Sequence, residues 1–250
     1  MKRTLSISLI MFAANLFAQS TIPAGTILPI ALGSSLNSRK VIAGQIIKAR
    51  VMQDVPLAAQ SRIHAGAKVV GHVISVKPAN ATAPAQVTVR FDTLIVSRQR
   101  IPITTNLRAL ASMMAVEEAQ VPETGPDRGT SENAWTTDQI GGEVVYRGGG
   151  PVANGLLAVG TPTTHGVLVR VSGKPGTKCR GTIEGNDRLQ ALWVFSSDAC
   201  GVYDFPDLVI AHAGRTNAAG KITLASDKGE VNVQAGSGML LRVNIQSPGS

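Results

Sequence analysis

Twenty-six glycines and thirteen prolines break this 250-residue chain into short apolar runs. Long helices and coiled coils do not survive such punctuation. What remains is a rhythm of short alternating segments and turn residues, the pattern of a sandwich or barrel. Apolar residues make up 44% of the chain, enough for a core, so disorder of the whole chain is excluded. Aromatic residues are 4%, too few for the stacking platforms of single-strand nucleic-acid binders. The length fits one large domain or two small ones, at roughly 100–200 residues each.

The first twenty residues read as an export leader. Lys2 and Arg3 precede the uncharged apolar run LSISLIMFAANLFA (5–18), and Ala18-Gln19-Ser20 offers a small-x-small cleavage site, with cleavage after Ala18 as the alternative. The run is short for a membrane span, which takes about 20 apolar residues. No later stretch reaches spanning length without charges or Pro, so no transmembrane helix is expected once the leader is removed. The expected location is the periplasm or the outer-membrane region, with secretion as the alternative.

Two cysteines, Cys179 and Cys200, fit an oxidising compartment. A bridge between them is expected to contribute about 3 kcal/mol by loop-closure entropy. Free buried thiols are the alternative.

Charge is unevenly placed. Losing Lys2 and Arg3 with the leader takes the net charge from +8 to +6. Residues 21–116 carry eleven Lys/Arg against Asp54 and Asp92, a balance of +9. Residues 117–138 hold six acids and only Arg128. The remainder is near neutral. An exported basic surface meets lipid headgroups, envelope polymers or acidic partner proteins. Arg39, Lys40, Lys48 and Arg50 are the candidate anion-binding residues; a scatter of solvated bases on strand exteriors is the alternative.

The segments predict a mostly β protein of two modules, barrel- or sandwich-like. After the leader (1–20) comes a basic module over 21–106, with strands at 26–32, 46–52, 68–76, 86–97 and 101–104. In the fourth, Val87, Val89 and Phe91 face one way and Thr88, Arg90 and Asp92 the other. A helix (107–120, LRALASMMAVEEAQ) and an acidic Gly/Pro-bearing linker follow, together 107–138. The rear module (139–250) carries further short strands and the disulfide. Trp135, within the linker, is expected to tuck against a neighbouring domain.

Chemistry-bearing motifs are scarce. His64, His72, His165 and His212 form no ligand-spaced motif. Ser237 sits in Gln-Ala-Gly-Ser-Gly, a turn and not a nucleophile elbow. Residues 148–150 and 172–176 are glycine-rich turns without the lysine of a phosphate loop. Glu117 and Glu118 point about 100° apart on a helix, poorly placed for acid–base partnership. Asp198, Asp204 and His212 are the candidate polar site; a capped, disulfide-braced turn is the alternative. No cofactor is expected.

Five short motifs in the front half resemble one family. They are Ile22-Pro23-Ala24-Gly25-Thr26-Ile27-Leu28-Pro29, Leu36-Asn37-Ser38, Gly44-Gln45, Gln53-Asp54-Val55, and Ile63-His64-Ala65-Gly66-Ala67-Lys68-Val69-Val70-Gly71. Their order resembles the C-terminal β-barrel domain of TrbI-like conjugal-transfer proteins, the scaffolds of type IV secretion systems, over residues 22 to about 105. The chain departs from that family in having a cleavable leader, no inner-membrane helix and no Pro-rich stalk, and in His64 where the family has Pro. The resemblance implies a β-barrel-like envelope domain. Together these readings point to an exported, non-enzymatic envelope protein acting as scaffold or binding module, with envelope proteins or anionic envelope polymers as partners and no nucleic acid. A periplasmic hydrolase or metal-dependent enzyme built on the rear module is the alternative, as is an anion-binding module for polymers or lipid headgroups.

Overall fold

The computed structural model describes residues 21–57, 61–81, 83–121, 136–142, 144–146, 152–154, 157–163, 166–171, 189–211, 220–226 and 228–244. The strands in chain order are β1 (Ile27–Leu32), β2 (Leu36–Asn37), β3 (Ile46–Val51), β4 (Val55–Pro56), β5 (Arg62–Ile63), β6 (Lys68–Lys77), β7 (Ala85–Val96), β8 (Gln99–Pro102) and β9 (Thr105–Ala111). The helix α1 (Met113–Gln120) follows. Then come β10 (Thr136–Asp138), β11 (Val144–Tyr146), β12 (Val152–Asn154), β13 (Leu157–Thr163), β14 (Gly166–Val169) and β15 (Gln190–Leu192). The last strands are β16 (Gly201–Tyr203), β17 (Leu208–Ile210), β18 (Ile222–Ser226), β19 (Asn232–Val233) and β20 (Gly238–Val243). The mostly β expectation holds.

Ten strands form the main sheet, in the order β16-β9-β20-β1-β3-β6-β7-β18-β17, with β8 added to β7. The β16–β9 pair is parallel and the others antiparallel. The outermost strands, β16 and β17, are consecutive in the chain and lie against each other, separated by residues 204–207. The sheet therefore curls until its two ends meet, although no ladder joins them.

This sheet draws on both stretches expected to fold as separate modules. β20 lies between β1 and β9, and β18 pairs with β7. The expected boundary at 106/139 thus runs through one hydrogen-bonded sheet. Strand–strand bonds are blind to sequence separation, so charge balance along the chain does not mark where a sheet ends. Between β9 and β16 the chain builds two smaller sheets, β10-β11 and β12-β13-β14-β15.

The expected helix over 107–120 is corrected at its front. Residues up to Ala111 belong to β9, and α1 starts after its N-cap Ser112, whose Oγ accepts from Ala115 N at 3.0 Å. Leu and Ala favour helix in isolation. Here every residue of β9 is buried, and the strand is hydrogen-bonded to β20 and β16 on either side. Tertiary pairing overrides a propensity worth a few tenths of a kcal/mol per residue.

Period-two alternation sorts the side chains into two cores. Leu28, Ile30, Ile47, Val69, Val87, Val89, Phe91, Leu107 and Leu241 fill the concave interior of the curled sheet. Ile27, Ala109, Ala111 and Leu240 face outward, beneath Val116 of α1 and Val169, Leu192 and Phe195. Burying each such large side chain contributes about 1.5–3 kcal/mol. A bulge between Val70 and Gly71 brings the β6 backbone close to β7: a Cβ on Gly71 would lie 2.2 Å from the Arg90 carbonyl oxygen.

Candidate functional site

The four strands β3, β6, β7 and β8 carry six Lys and Arg against one acid. In β3, Ile47, Ala49 and Val51 point to the core, while Ile46, Lys48 and Arg50 point to solvent. The register then fixes their neighbours, because residues opposite one another across a ladder share a face. Arg50 stands opposite Lys68, Lys68 opposite Ile95, and Ile95 opposite Arg100. The next row is Lys48, Val70, Thr93 and Pro102, and the third is Ile46, His72 and Arg90. Lys48, Arg50, Lys68, Arg90 and Arg100 are all exposed.

Asp92 is the sole acid in these four strands. Its carboxylate is already engaged. His72 Nδ1 lies 3.0 Å from Oδ2, Arg90 Nε lies 3.5 Å from it, and Thr93 Oγ1 donates to Oδ1 at 2.9 Å. Among the described residues, Lys48, Arg50, Lys68 and Arg100 make no ion pair. Arg50 also borders a groove of about 320 Å³ between α1 and the sheet, where Met52, Met113 and Glu117 join it without an Arg50–Glu117 ion pair.

The other two sequence candidates sit at the turn that feeds β3. Arg39 is paired with Glu230. Lys40 is exposed, and its N–H donates to the Asn37 carbonyl. The chain then buries Val41 and exposes Ile42 (70%) before entering β3 at Ile46 (55%). Gly44 N donates to Val73 O and Val73 N to Gln45 O, which ties this turn to β6. So Lys48 and Arg50 belong to the cationic face, Lys40 lies at its approach, and Arg39 is neutralised. Lys68, Arg90 and Arg100 were missed in the sequence. Alternation alone turns them outward, but only the register makes them neighbours.

A second charged cluster shapes the turn before β6. Asp54 Oδ1 accepts from Ala65 N at 2.9 Å, while Arg62 and His64 approach Oδ2 at 3.3 and 3.5 Å. The amide bond from Ala65, with the nearby His64 and Arg62 charges adding to it, holds the Asp54 carboxyl below its ordinary range.

In the rear polar cluster, Asp204 has φ +56° and accepts a hydrogen bond from the Ser112 hydroxyl, the cap of α1. Asp198 is exposed, and its charge favours the protonated form of Arg108. His212 lies outside the described residues. Arg108 is 1% exposed; its Nε donates to Ala199 O at 2.8 Å and its Nη2 to Ser197 O at 3.2 Å. Burial pushes its guanidinium down to about 10, so it stays charged at neutral pH. Tyr203 Oη accepts from Cys200 N at 3.0 Å and donates to Cys200 O at 3.1 Å, and burial pushes the phenol up. These contacts brace the 196–204 turn against β9.

Cys200 is fully buried, while Cys179, Trp135, His165 and the glycine-rich turns at 148–150 and 172–176 lie outside the described residues. Ser237 is buried in the turn before β20, where its carbonyl accepts from Leu32 N at 2.9 Å. Glu117 and Glu118 are exposed on α1. Among the described residues, no group of three or more His, Cys, Asp or Glu comes together, and no helix is long and apolar enough to cross a membrane. No protein-family model matches the chain, and no curated protein matches it in sequence.

Proposed function

We propose that this chain is an exported, non-enzymatic envelope protein, a scaffold or binding module whose cationic sheet face holds an anionic partner. One observation carries the reading: Arg50 and Lys68 are directly opposed on neighbouring strands, with Arg100 in the same row. Like charges opposed across a ladder are destabilising. Asp92 is occupied by His72 and Arg90, so no acid of these strands offsets the row. An anion arriving from outside relieves that repulsion.

The TrbI-like resemblance supports the same class of protein. Its motifs fall on β1, β2, the entry to β3, the Asp54 turn and the β5–β6 turn, which together frame the β1-β3-β6 part of the sheet. The engagement of Asp204 as partner of a helix cap favours a structural role for the rear polar cluster over a catalytic one. A Cys179–Cys200 bridge belongs to this reading, and an intact mass short by two hydrogens tests it.

The binding test is elution of the purified protein from a sulfated polysaccharide column in a salt gradient. We expect retention at low salt that falls steeply as salt rises. The Arg50→Ser/Lys68→Ser/Arg100→Ser variant should elute earlier. Equal elution of variant and parent overturns the assignment of the face. Turnover of a polysaccharide, peptide or ester library overturns the non-enzymatic reading.

A further inference from the structure

Taking the cationic face as the binding surface, we infer that its occupant is an anionic phospholipid membrane, with the Ile42 and Ile46 side chains entering the interface. A soluble polyanion asks only for charge. This face offers charge and exposed hydrocarbon together. Ile42 is 70% and Ile46 55% exposed; among the described residues they are the first and third most exposed large apolar side chains, with only Met114 between them.

Their placement matters more than their exposure. Ile46 opens β3 on the same side as Lys48 and Arg50, and its row continues through His72 to Arg90. Ile42 lies in the turn leading directly into that strand, with Lys40 just before it and the turn fixed to β6 through Gly44 and Val73. The apolar pair therefore forms one end of the face and the Arg50–Lys68–Arg100 row the other. At about 4.8 Å between strands and about 3.4 Å per residue, the face spans roughly 14 Å in each direction. That is the convex outer surface of the curled sheet, with spread cations and an exposed aliphatic edge. Lys and Arg stems also bury their methylenes while the charged ends reach phosphates. Interfacial binding draws on the same two terms, apolar burial and attraction to anionic headgroups.

The test is co-sedimentation of the purified protein with phosphatidylcholine vesicles, with and without phosphatidylglycerol. Two variants run beside it, Arg50→Ser/Lys68→Ser and Ile42→Ser/Ile46→Ser, all four positions being exposed. Circular dichroism confirms that each keeps its sheet. Binding is expected on phosphatidylglycerol-containing vesicles and to be weak on phosphatidylcholine alone. The charge variant should lose about 25-fold, fivefold for each cation removed. The isoleucine variant should lose at least about tenfold on vesicles while eluting from the sulfated polysaccharide column with the parent. If the isoleucine variant binds vesicles as the parent does, the membrane inference falls. If the parent ignores vesicles but is retained on the column in a salt-dependent way, the occupant is a polymer or acidic protein; the membrane inference falls and the proposed function stands. If neither vesicles nor column hold the parent, both fall.

Discussion

Arg50 on β3 stands directly opposite Lys68 on β6, with no ion pair to either among the described residues. The pair sets stability against binding. Lys68→Glu converts repulsion into attraction and should raise stability by roughly 0.2–1 kcal/mol. The same change should weaken retention on an anionic column. Urea melts and a salt gradient read the two effects, and a loss of stability would contradict the opposed placement.

From inside the sheet Arg108 donates to the buried Ala199 carbonyl and to the partly buried Ser197 carbonyl. Arg108→Ala should cost roughly 2–4 kcal/mol, since it leaves both acceptors without their donor. The measurement is the urea midpoint, and a change below about 1 kcal/mol would remove Arg108 from this bracing role.

Ser112 links two elements through one hydroxyl, accepting from Ala115 N and donating to Asp204. Ser112→Ala should cost about 1 kcal/mol for the cap alone. Asp204 then loses its partner as well, so the Ser112→Ala/Asp204→Ala double variant should be less destabilised than the sum of the singles. Thermal melts of all three variants check this coupling.

The β7–β8 hairpin turns through Ser97 and Arg98 at φ +47° and +70°. Both central residues are left-handed, as a two-residue turn matched to strand twist requires. Neither is Gly or Asn. Ser97→Asn/Arg98→Gly should therefore raise stability by about 1 kcal/mol, read as a higher Tm. An unchanged or lower Tm would deny the strain.

Asp54 is held below the ordinary carboxylate range, chiefly by the Ala65 amide. A carboxyl whose folded pKa is depressed adds stability above its unfolded value and loses it as pH falls through the folded one. Asp54→Asn should thus be less stable than the parent at neutral pH. The gap should close below about pH 4. Urea midpoints at pH 7 and at acid pH test the sign; a gap that widens in acid refutes it.

Much of the strand content was readable beforehand. Residues 27–32, 46–51, 68–77 and 85–96 lie where alternation and turn residues put them, and Val87, Val89 and Phe91 are buried as their spacing implies. The errors came where local signals conflict with pairing. Residues 107–111 carry helix formers yet lie in a strand held from both sides. The strands at 201–203 and 222–226 are too short or too flanked by glycine to announce themselves. Two of the five exposed bases of the candidate site were visible in the same way, since Lys48 and Arg50 alternate with buried residues inside one strand.

Local chemistry, written in the chain, decided that this protein is mostly sheet, where its turns fall, and which side of each strand is apolar. Those properties depend on neighbours within a few residues. Tertiary structure alone decided that β20 lies between β1 and β9, and that Arg50, Lys68 and Arg100 share one row. Register is a relation between segments far apart in the chain. A one-residue slip would turn every side chain of a strand to the opposite face, so burial of the apolar face, and not any local motif, selects it.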